Sequence, residues 1–538
     1  MYKRILPAAL ALLLCILGAC GKGDGSGGEF RFPLAAMPVN LDSAIAARAE
    51  EALVLANCME GLVRRGENGV VPGVAASWEL SQDGRGYTFH LRQDTHWMLT
   101  ADAKELLGDD DAAFETAVTA HDFVFAFRRL LDPQTKAVGA SLLFPIQNAR
   151  EINAGLLAPT ALAVAAPDPF TLTVTLAEPN AGFLQSLCQS GALPCNQRFF
   201  EKTGGRYGLS AKFLLCNGAF YLSAWNDTSL RFKRNNGYRG AEKIQPAGLT
   251  FKLAPDSSEQ LRLLGAEGGY SALLLPPGTL TEEKMGVALQ NATQCLVLRG
   301  AEGSPLCNTA LRQALCAAID PTALGFLSVP EGLLPNSLQL GGEAYRAAAG
   351  TARGMAFSEA AAREAWERGL LAWQEAGGET PIRLTLLCPA EEDRTVRLLL
   401  QQWQKVFGLR LHVTIESPDA DRLNAMLAAG AFDIAFVTMR AGSSSAPEAL
   451  RQWVTGEQLL PGYPSEALYA SLEDAARLPS TVQAAAALRG AEEQLLREGV
   501  FYPLAARESR LLTAPGVGGL QISPAGEILW FGRCTMNS

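Results

Sequence analysis

Two spacings of apolar residues occur along this chain, and each predicts a different secondary structure. Apolar and polar residues alternate with a period of two at residues 86–92, 170–176 and 409–415. This period is typical of a strand with one buried face. His412 lies on the polar face of the third segment, where we expect it to be solvated rather than to act as a ligand. The three segments are therefore predicted to be half-buried strands.

Helical spacing alternates with these strands. It occurs at residues 308–319, 359–376 and 391–406. The helix at 391–406 follows a strand at 382–387, and Gly408 turns the chain into the strand at 409–415. Such a β-α-β unit builds mainly parallel sheets that are covered by helices. The sequence therefore predicts an α/β fold with mixed sheets flanked by helices.

A further helix is marked at both of its ends. Thr119 and Asp122 have the spacing of a capping box, with Asp in place of the usual Glu. Apolar residues between Phe123 and Leu131 form one stripe, and Pro133 cannot continue a helix. We therefore predict an amphipathic helix that begins after Thr119 and ends before Pro133.

The start of the chain has the pattern of an export signal. Lys3 and Arg4 precede an apolar run at residues 5–17, which is short for a membrane span. Residues 17–20 read Leu-Gly-Ala-Cys, which resembles the lipobox of bacterial lipoproteins, and a Gly/Ser-rich stretch follows. The resemblance implies a signal peptide at 1–19, lipids on Cys20 and a flexible tether at 20–28. An ordinary secretory signal with a chance cysteine is the alternative.

The composition and net charge of the chain limit which classes of partner are expected. The chain has 538 residues, 48% of them hydrophobic and 19% charged, so more than one globular domain is expected. The net charge is −9 and becomes −11 when Lys3 and Arg4 leave with the signal. Since no basic patch is visible, nucleic acid is not an expected partner. No second apolar run is long enough to cross a bilayer.

The cysteines do not form a recognisable metal or redox motif. Nine follow Cys20, an odd number, and no C-x-x-C occurs. The four histidines are scattered, so we predict no metal site and no cofactor. Cys188 and Cys195 flank a Gly/Pro loop that a disulfide could close, whereas Cys316 and Cys388 are interpreted as small buried hydrophobic residues. Three adjacent aspartates at 109–111 indicate a solvated loop rather than a calcium site.

Several short sequence motifs follow one another along the chain. Residues 71–78 read Val-Pro-Gly-Val-Ala-Ala-Ser-Trp, 86–92 read Gly-Tyr-Thr-Phe-His-Leu-Arg, and 119–133 contain the helix described above. Further motifs are found at residues 40–42, 59–63, 216–221, 234–238, 311–320 and 432–433. In this order they resemble the large extracytoplasmic solute-binding proteins that serve ABC importers of the peptide and nickel class.

The resemblance implies a two-lobe, periplasmic-binding-protein-like clamshell of type II. Lobe I would comprise residues 29–274, with an extra subdomain at about 63–167. Lobe II would comprise residues 275–500, and residues 501–538 would return to lobe I. The chain would cross between the lobes near residues 272–277 and 500–503. A small solute, peptide or peptide-like, would be captured in the cleft and passed to an ABC permease and its ATPase.

One segment departs from the family pattern. Peptide-binding members carry a Gly-Trp-x-x-Asp-Tyr segment whose Asp pairs with the α-amino group of the peptide. Here Met439 falls at the Trp position and Gly442 at the Asp position, and Arg440 adds a positive charge. Because a buried ammonium group without a counter-ion costs several kcal/mol, we hypothesise that the chain does not grip a free peptide N-terminus in the usual way. A blocked or modified peptide, an anionic ligand or a non-peptide solute would fit better.

The candidate ligand-binding residues follow from this segment. They are Asn40, Thr438, Met439, Arg440, Ser443 and Ser444. Arg440 is the candidate anion partner, the two serines are candidate hydrogen-bonding groups, and Asn40 belongs to the opening loop. Alternatives are a carboxylate elsewhere that replaces the lost Asp, a shifted alignment, or a plain surface loop. Trp225 and Trp403 are interpreted as core residues.

Other functions remain open on the sequence alone. The chain lacks G-x-S-x-G, H-E-x-x-H and Walker A motifs, so no catalytic residues are predicted. A binding protein for a metal chelate, haem or an oligosaccharide is an alternative to a peptide-binding protein. A ligand sensor or adhesin that reuses the fold is another. In each case we expect an extracytoplasmic protein held by its lipid on a membrane face.

Overall fold

The structure is a computed structural model that describes most of the chain after the tether. The described residues are 27–536, except for 47, 67–68, 109–113, 138, 181, 278, 280–285, 327–329, 341–342, 441–444, 456–465, 479 and 524–528. The predicted signal peptide, Cys20, most of the tether and the aspartates at 109–111 lie outside this set.

Twenty-two strands lie in the described part of the chain. In chain order they are β1 (Gly27–Leu34), β2 (Val63–Gly66), β3 (Gly69–Pro72), β4 (Ala75–Leu80), β5 (Gly86–Leu91), β6 (Val164–Asp168), β7 (Thr171–Thr175), β8 (Phe220–Asn226), β9 (Ser229–Arg234), β10 (Pro246–Leu253), β11 (Ala272–Leu275), β12 (Val287–Leu298), β13 (Gln339–Leu340), β14 (Glu343–Ala344), β15 (Ile382–Leu387), β16 (Leu411–Glu416), β17 (Ile434–Arg440), β18 (Phe501–Thr513), β19 (Val517–Gly518), β20 (Gln521–Ile522), β21 (Leu529–Trp530) and β22 (Thr535–Met536).

Fifteen α-helices are interspersed with these strands in the same described residues. They are α1 (Ala49–Cys58), α2 (Ala101–Leu107), α3 (Ala120–Leu131), α4 (Ala149–Asn153), α5 (Phe183–Ser186), α6 (Gln197–Lys202), α7 (Ser257–Leu263), α8 (Thr309–Ala317), α9 (Tyr345–Ala349), α10 (Glu359–Glu375), α11 (Asp393–Phe407), α12 (Ala420–Ala429), α13 (Ala446–Thr455), α14 (Glu466–Arg477) and α15 (Thr481–Arg497).

Three larger sheets organise these elements. One has the strand order β1-β10-β9-β8, the second β4-β5-β7-β6, and the third β11-β18-β12-β17-β15-β16. The second sheet is wholly antiparallel. The third is mixed, because β15 pairs in parallel with both β16 and β17 while β12 runs antiparallel to its two neighbours. The architecture is therefore mixed α/β, as the alternation of strand and helix spacing predicts.

Most predicted elements are found at the expected positions. The helix after Thr119 is α3, its capping box is present, and it ends before Pro133. The β-α-β unit consists of β15, α11 and β16, and its two strands are parallel neighbours. The third predicted strand begins later than expected, however, because Gly408–Arg410 form a 3-10 turn in which Leu409 is 89% exposed. Gly408 has φ 60°, and this positive value ends α11 before the strand starts.

The apolar residues of the described chain gather into separate cores. The first core draws on residues between 30 and 272 and on residues 511–534. Two further cores cover the two faces of the six-stranded sheet and use residues between 295 and 504. A small fourth core joins Tyr270, Leu273 and Leu275 to Leu512. The strands β11 and β18, which are paired with each other, thus lie where the first core meets the rest of the chain.

The surroundings of the cysteines test the interpretations of these residues that were made from the sequence. Cys316 and Cys388 are buried, as predicted for small hydrophobic residues, and Trp403 is a buried core residue. Cys188 and Cys195 are not joined by a disulfide, so the prediction of a loop disulfide was wrong. Each thiol has another partner, because Cys188 donates to the Leu184 carbonyl and the fully buried Cys195 is hydrogen-bonded with Tyr207.

The N-terminus of α3 contains a buried acid whose ionisation affects stability. Asp122 is 5% exposed and accepts hydrogen bonds from the Thr119 backbone N–H, the Thr119 hydroxyl, Trp97 and Asn196. Burial nevertheless dominates and raises the pKa of the Asp122 carboxyl to about 6, against an ordinary 3.8.

We expect this carboxyl to make stability depend on pH. The folded chain binds the Asp122 proton more tightly than the unfolded chain, so the free energy of unfolding should fall as the pH rises from about 4 to about 6. A shift from 3.8 to about 6 corresponds to about 3 kcal/mol. Denaturant unfolding of the native chain and of Asp122→Asn, which does not titrate, should diverge by this amount over that range. A difference between the two chains that is independent of pH would contradict the assignment.

Candidate functional site

The first three candidate residues after Phe432 and Asp433 lie on a central strand. β17 lies between β12 and β15 in the six-stranded sheet. Its residues Ile434–Val437 are buried, as expected for a strand covered on both faces. At its end, Thr438, Met439 and Arg440 lie opposite Gln294, Thr293 and Ala292 of β12. The sheet therefore holds the backbone of these three candidate residues in a fixed register.

Strand alternation separates the three candidates onto two faces. Met439 is 5% exposed and packs in one of the two cores of this sheet. Thr438 and Arg440 are exposed, as expected from the period of two. Met439 is thus a core residue, while Thr438 and Arg440 share the accessible face. Ser443 and Ser444, with Gly442, lie outside the described residues.

Asn40 has a local structural role in the opening loop. Its side-chain oxygen accepts a hydrogen bond from the Asp42 backbone N–H at 2.7 Å. The neighbouring Leu41 N–H donates to the Gly208 carbonyl at 2.8 Å. This geometry is that of an Asx turn, which uses the amide oxygen to shape the backbone. No contact brings Asn40 together with Thr438 or Arg440 among the described residues.

The guanidinium group of Arg440 differs from those of Arg507 and Arg510 in the same sheet, which pair with Glu392 and Glu508. Within the described part of the chain, it makes no hydrogen bond or ion pair. Burial lowers its pKa, and the carboxylate of Glu50 opposes this effect. An arginine remains charged at any physiological pH. Arg440 is therefore an accessible, partly desolvated cation with no direct counter-ion among the described residues.

Glu50 comes from a different part of the fold. It lies in the first turn of α1, whose buried residues belong to the first core, whereas β17 belongs to the six-stranded sheet. Glu50 and Arg440 interact electrostatically without forming an ion pair. This interaction therefore links α1 with the end of β17, which belong to separate cores. Glu50 was not predicted from the sequence, because no local pattern distinguishes it from other acids in a first helical turn.

A polar cluster lies beside Thr438 on the neighbouring strands. Gln294, the cross-strand partner of Thr438, donates to Glu392 at 2.6 Å and accepts from Arg507 at 2.6 Å. The Arg507 guanidinium lies 5.7 Å from the centre of the Phe326 ring. These residues were not predicted from the sequence. The only signal was Arg507 itself, which is the first charged residue after the uncharged run at 501–506.

A second contact joins the same two parts of the molecule. Arg451 of α13 donates to the Ser141 hydroxyl at 3.2 Å and pairs with Glu448 at 2.7 Å. Ser141 belongs to the 3-10 turn Ala140–Leu143, which contributes to the first core. Glu50 and Arg451 therefore each link the part of the molecule that contains the six-stranded sheet with the part built on the first core.

No group of three or more His, Cys, Asp or Glu side chains among the described residues is arranged to hold a metal ion. Among the same residues, no helix has both the length and the apolar character that crossing a membrane requires.

Comparisons with known proteins identify the family and the fold. The model of the bacterial extracellular solute-binding proteins, family 5, matches residues 69–459, which is well over half of the chain. The chain is similar to the periplasmic oligopeptide-binding protein OppA of Haemophilus influenzae, with 29% identity over 53% of this chain and 52% of that protein. It is also similar to a probable deoxycholate-binding periplasmic protein, YgiS, of Escherichia coli, with 32% identity over 40% of this chain and 38% of that protein. The matched segments thus span about half or less of these relatives.

Solved structures match over a longer stretch. The structure of Listeria monocytogenes OppA bound to peptide superimposes with a TM-score of 0.73 and 22% identity, and covers 95% of this chain and 100% of that chain. This likeness confirms the predicted fold class, a two-lobe α/β clamshell of the periplasmic-binding-protein type. Together with the match of the family model, it shows that the chain belongs to family 5 of the bacterial extracellular solute-binding proteins.

Proposed function

We propose that this chain is the extracytoplasmic solute-binding component of an ABC importer and that it captures a peptide or peptide-like solute with an anionic group. The observation that carries the proposal is the Arg440 guanidinium, which lies at the end of β17 without a hydrogen bond or ion pair in the described chain. An anionic group on the solute would supply its missing counter-ion through a charge-assisted hydrogen bond.

The lobe arrangement supports capture in a cleft. We infer lobe I at residues 29–274 with its subdomain at about 63–167, lobe II at 275–500, and the return to lobe I at 501–538. The pairing of β11 with β18 supports this division, because residues of both strands belong to the first core and to the small fourth core. Glu50 and Arg440 would then belong to opposite walls. Closure of the walls on a solute would give the permease a shape to recognise.

The charges favour a solute whose N-terminus is not a free ammonium group. The residue at the position of the family's Asp is Gly442, and the nearby charge is the cation Arg440. A blocked peptide, or one bound through a carboxylate, avoids repulsion from Arg440. Glu50 is the acid available to receive an ammonium group if the solute has one, so the two types of peptide must be compared directly.

A second candidate ligand is a non-peptide organic anion. The Escherichia coli relative is named for deoxycholate, a steroid that carries one carboxylate. Arg440 could pair with such a carboxylate as readily as with that of a peptide. This candidate retains the binding role and changes only the solute.

The proposal is tested by native mass spectrometry of the chain from residue 21 onward. The protein would be mixed with short peptides that differ only in a free or an acetylated N-terminus, and with deoxycholate. We expect complexes with the acetylated peptides or with the steroid anion. A consistent preference for free N-termini would contradict the proposed anion specificity while leaving a peptide-binding role, and a chain that retains none of these solutes would contradict both.

The location of the protein gives a separate prediction. We propose that Cys20 is lipidated and holds the protein on the membrane, with residues 20–28 as the tether. In cells labelled with radioactive palmitate, the native chain should carry the label and sediment with membranes. Cys20→Ala should lose both properties, whereas Cys15→Ala, inside the signal peptide, should keep them. Palmitate on the Cys20→Ala chain would overturn this assignment.

A further inference from the structure

Two buried cysteines of the first core contact each other. Cys58 is the last residue of α1, and Cys216 lies shortly before β8. Both are buried, and their thiols are hydrogen-bonded with each other. About 160 residues of chain separate the two cysteines. It is therefore the tertiary fold that brings their sulfur atoms together.

Hydrogen bonds hold the backbone on the far side of this pair. The Gly218 N–H donates to the Cys58 carbonyl at 3.0 Å. The Glu60 N–H donates to the side-chain oxygen of Asn217, and the Asn217 amide group donates back to the Glu60 carbonyl, both at 2.9 Å. Asn217 is buried, so water does not compete for these bonds. The segments 58–60 and 216–218 are therefore fixed side by side.

The two segments also approach each other closely. A Cβ added at Gly218 would lie 2.6 Å from the carbonyl carbon of Cys58, so the contact requires glycine. On its other side, Cys216 is held by the Met98 N–H, which donates to the Cys216 carbonyl at 2.8 Å. A disulfide needs two backbones at short distance and two sulfur atoms directed at each other. The contacts of Cys58 and Cys216 support both conditions.

Other buried cysteines of the chain have partners of a different kind. Their thiols contact a phenol, a backbone carbonyl and a hydroxyl, in the pairs Cys195–Tyr207, Cys316–Gly499 and Cys388–Ser417. The contact of two thiols therefore distinguishes Cys58 and Cys216 from these three cysteines.

The folded pair is poorly reactive, which indicates when a bond would form. The hydrogen bond with Cys216, together with burial, raises the pKa of the Cys58 thiol well above its ordinary value of 9.0. Because the thiolate is the nucleophile in disulfide exchange, the buried pair reacts slowly with an oxidant. Before the core closes, both thiols are accessible. The family is extracellular, and disulfides form and persist outside the cytoplasm.

We propose that Cys58 and Cys216 form a disulfide as the chain folds outside the cytoplasm, and that this bond joins the end of α1 to the segment before β8. One cysteine thiolate attacks the S–S bond of a disulfide donor such as oxidised glutathione and displaces one glutathione thiol. The second cysteine thiolate then attacks the mixed disulfide and displaces the other. The two cysteines lose two electrons and two protons, and the donor takes them up as two thiols. Since α1 also carries Glu50, the bond holds one helix of the proposed solute cleft to the first core.

Peptide mapping by mass spectrometry tests the proposal. The chain from residue 21 onward would be refolded with a mixture of reduced and oxidised glutathione and digested without reductant. We expect a peptide pair joined through Cys58 and Cys216, lighter by two hydrogen atoms than the separate peptides and parted by a reductant. Cys307→Ser, which removes an exposed thiol, should keep this pair, whereas Cys216→Ser should lose it. Alkylation of both cysteines in the refolded native chain, or pairing of Cys58 with a different cysteine, would overturn the proposal.

Thermal unfolding supplies a second measurement that does not depend on a single-cysteine variant. The oxidised native chain should melt about 3–8 °C higher than the reduced chain, because a cross-link that closes a long loop restricts the unfolded chain. A chain with both Cys58→Ala and Cys216→Ala should melt at the same temperature with and without reductant, which controls for the remaining thiols. A melting temperature of the native chain that a reductant leaves unchanged would contradict a stabilising bond between these two segments.

Discussion

Replacing Glu492 with alanine is expected to destabilise the folded chain by about 3–5 kcal/mol, the usual cost of removing one partner from a buried ion pair. Glu492 of α15 is fully buried. Its carboxylate accepts hydrogen bonds from the Leu334 N–H at 2.8 Å, the Tyr345 hydroxyl at 3.1 Å and the Arg346 guanidinium at 3.0 Å. Without it, the Arg346 cation stays buried, and its remaining hydrogen bonds among the described residues are to the backbone carbonyls of Leu334 and Gly350.

Denaturant unfolding measures this effect, and α15 supplies the control. Glu493 is the next residue and is partly exposed, with Arg489 at 3.9 Å as its ion-pair partner. Glu493→Ala should change the free energy of unfolding by less than about 1 kcal/mol, because exposed ion pairs contribute little. Similar destabilisation by the two substitutions would show that burial of the Glu492–Arg346 pair is not what stabilises this region.

Replacing Arg440 with glutamine is expected to weaken binding of an acidic or N-blocked solute by about 10–100-fold. The reason is that glutamine keeps a hydrogen-bond donor but removes the charge that pairs with the solute anion. The folded structure should tolerate the change, since the Arg440 side chain is exposed and makes no hydrogen bond or ion pair in the described chain. Isothermal titration calorimetry with an N-acetylated acidic dipeptide measures the affinity.

The matched control for this substitution is Arg410→Gln. Arg410 is exposed just before β16 and pairs with Glu367 on the surface. Its replacement should leave solute affinity unchanged. If Arg440→Gln bound the acidic dipeptide as tightly as the native chain, Arg440 would be a surface residue without a role in solute recognition.

Local sequence signals predicted the elements because each signal acts within a few residues. Thr119 and Asp122 cap α3 through contacts three residues apart, and Gly408 ends α11 through its own backbone angle. The prediction that the strand begins at Leu409 was wrong, because apolar alternation by itself does not show where a turn ends and a strand begins. The 3-10 turn exposes Leu409, although its spacing matches that of the buried Leu411.

The candidate site was predicted less completely, because its geometry depends on distant parts of the chain. Strand alternation alone would have separated Met439 from Thr438 and Arg440, and the structure places Met439 in the core. Glu50 approaches Arg440 only through the tertiary fold, since nearly 400 residues separate them. The buried pair of Arg346 and Glu492 is likewise formed between residues that are 146 positions apart.

Hydrogen–deuterium exchange with and without a bound solute tests most directly whether the solute is held between the two walls. The solute would be the acetylated dipeptide or whichever tested compound the chain retains in native mass spectrometry. The account predicts slower deuterium uptake in both α1 around Glu50 and β17 up to Arg440, because a solute in the cleft covers both. Protection of only one of these segments would contradict capture between the two proposed lobes.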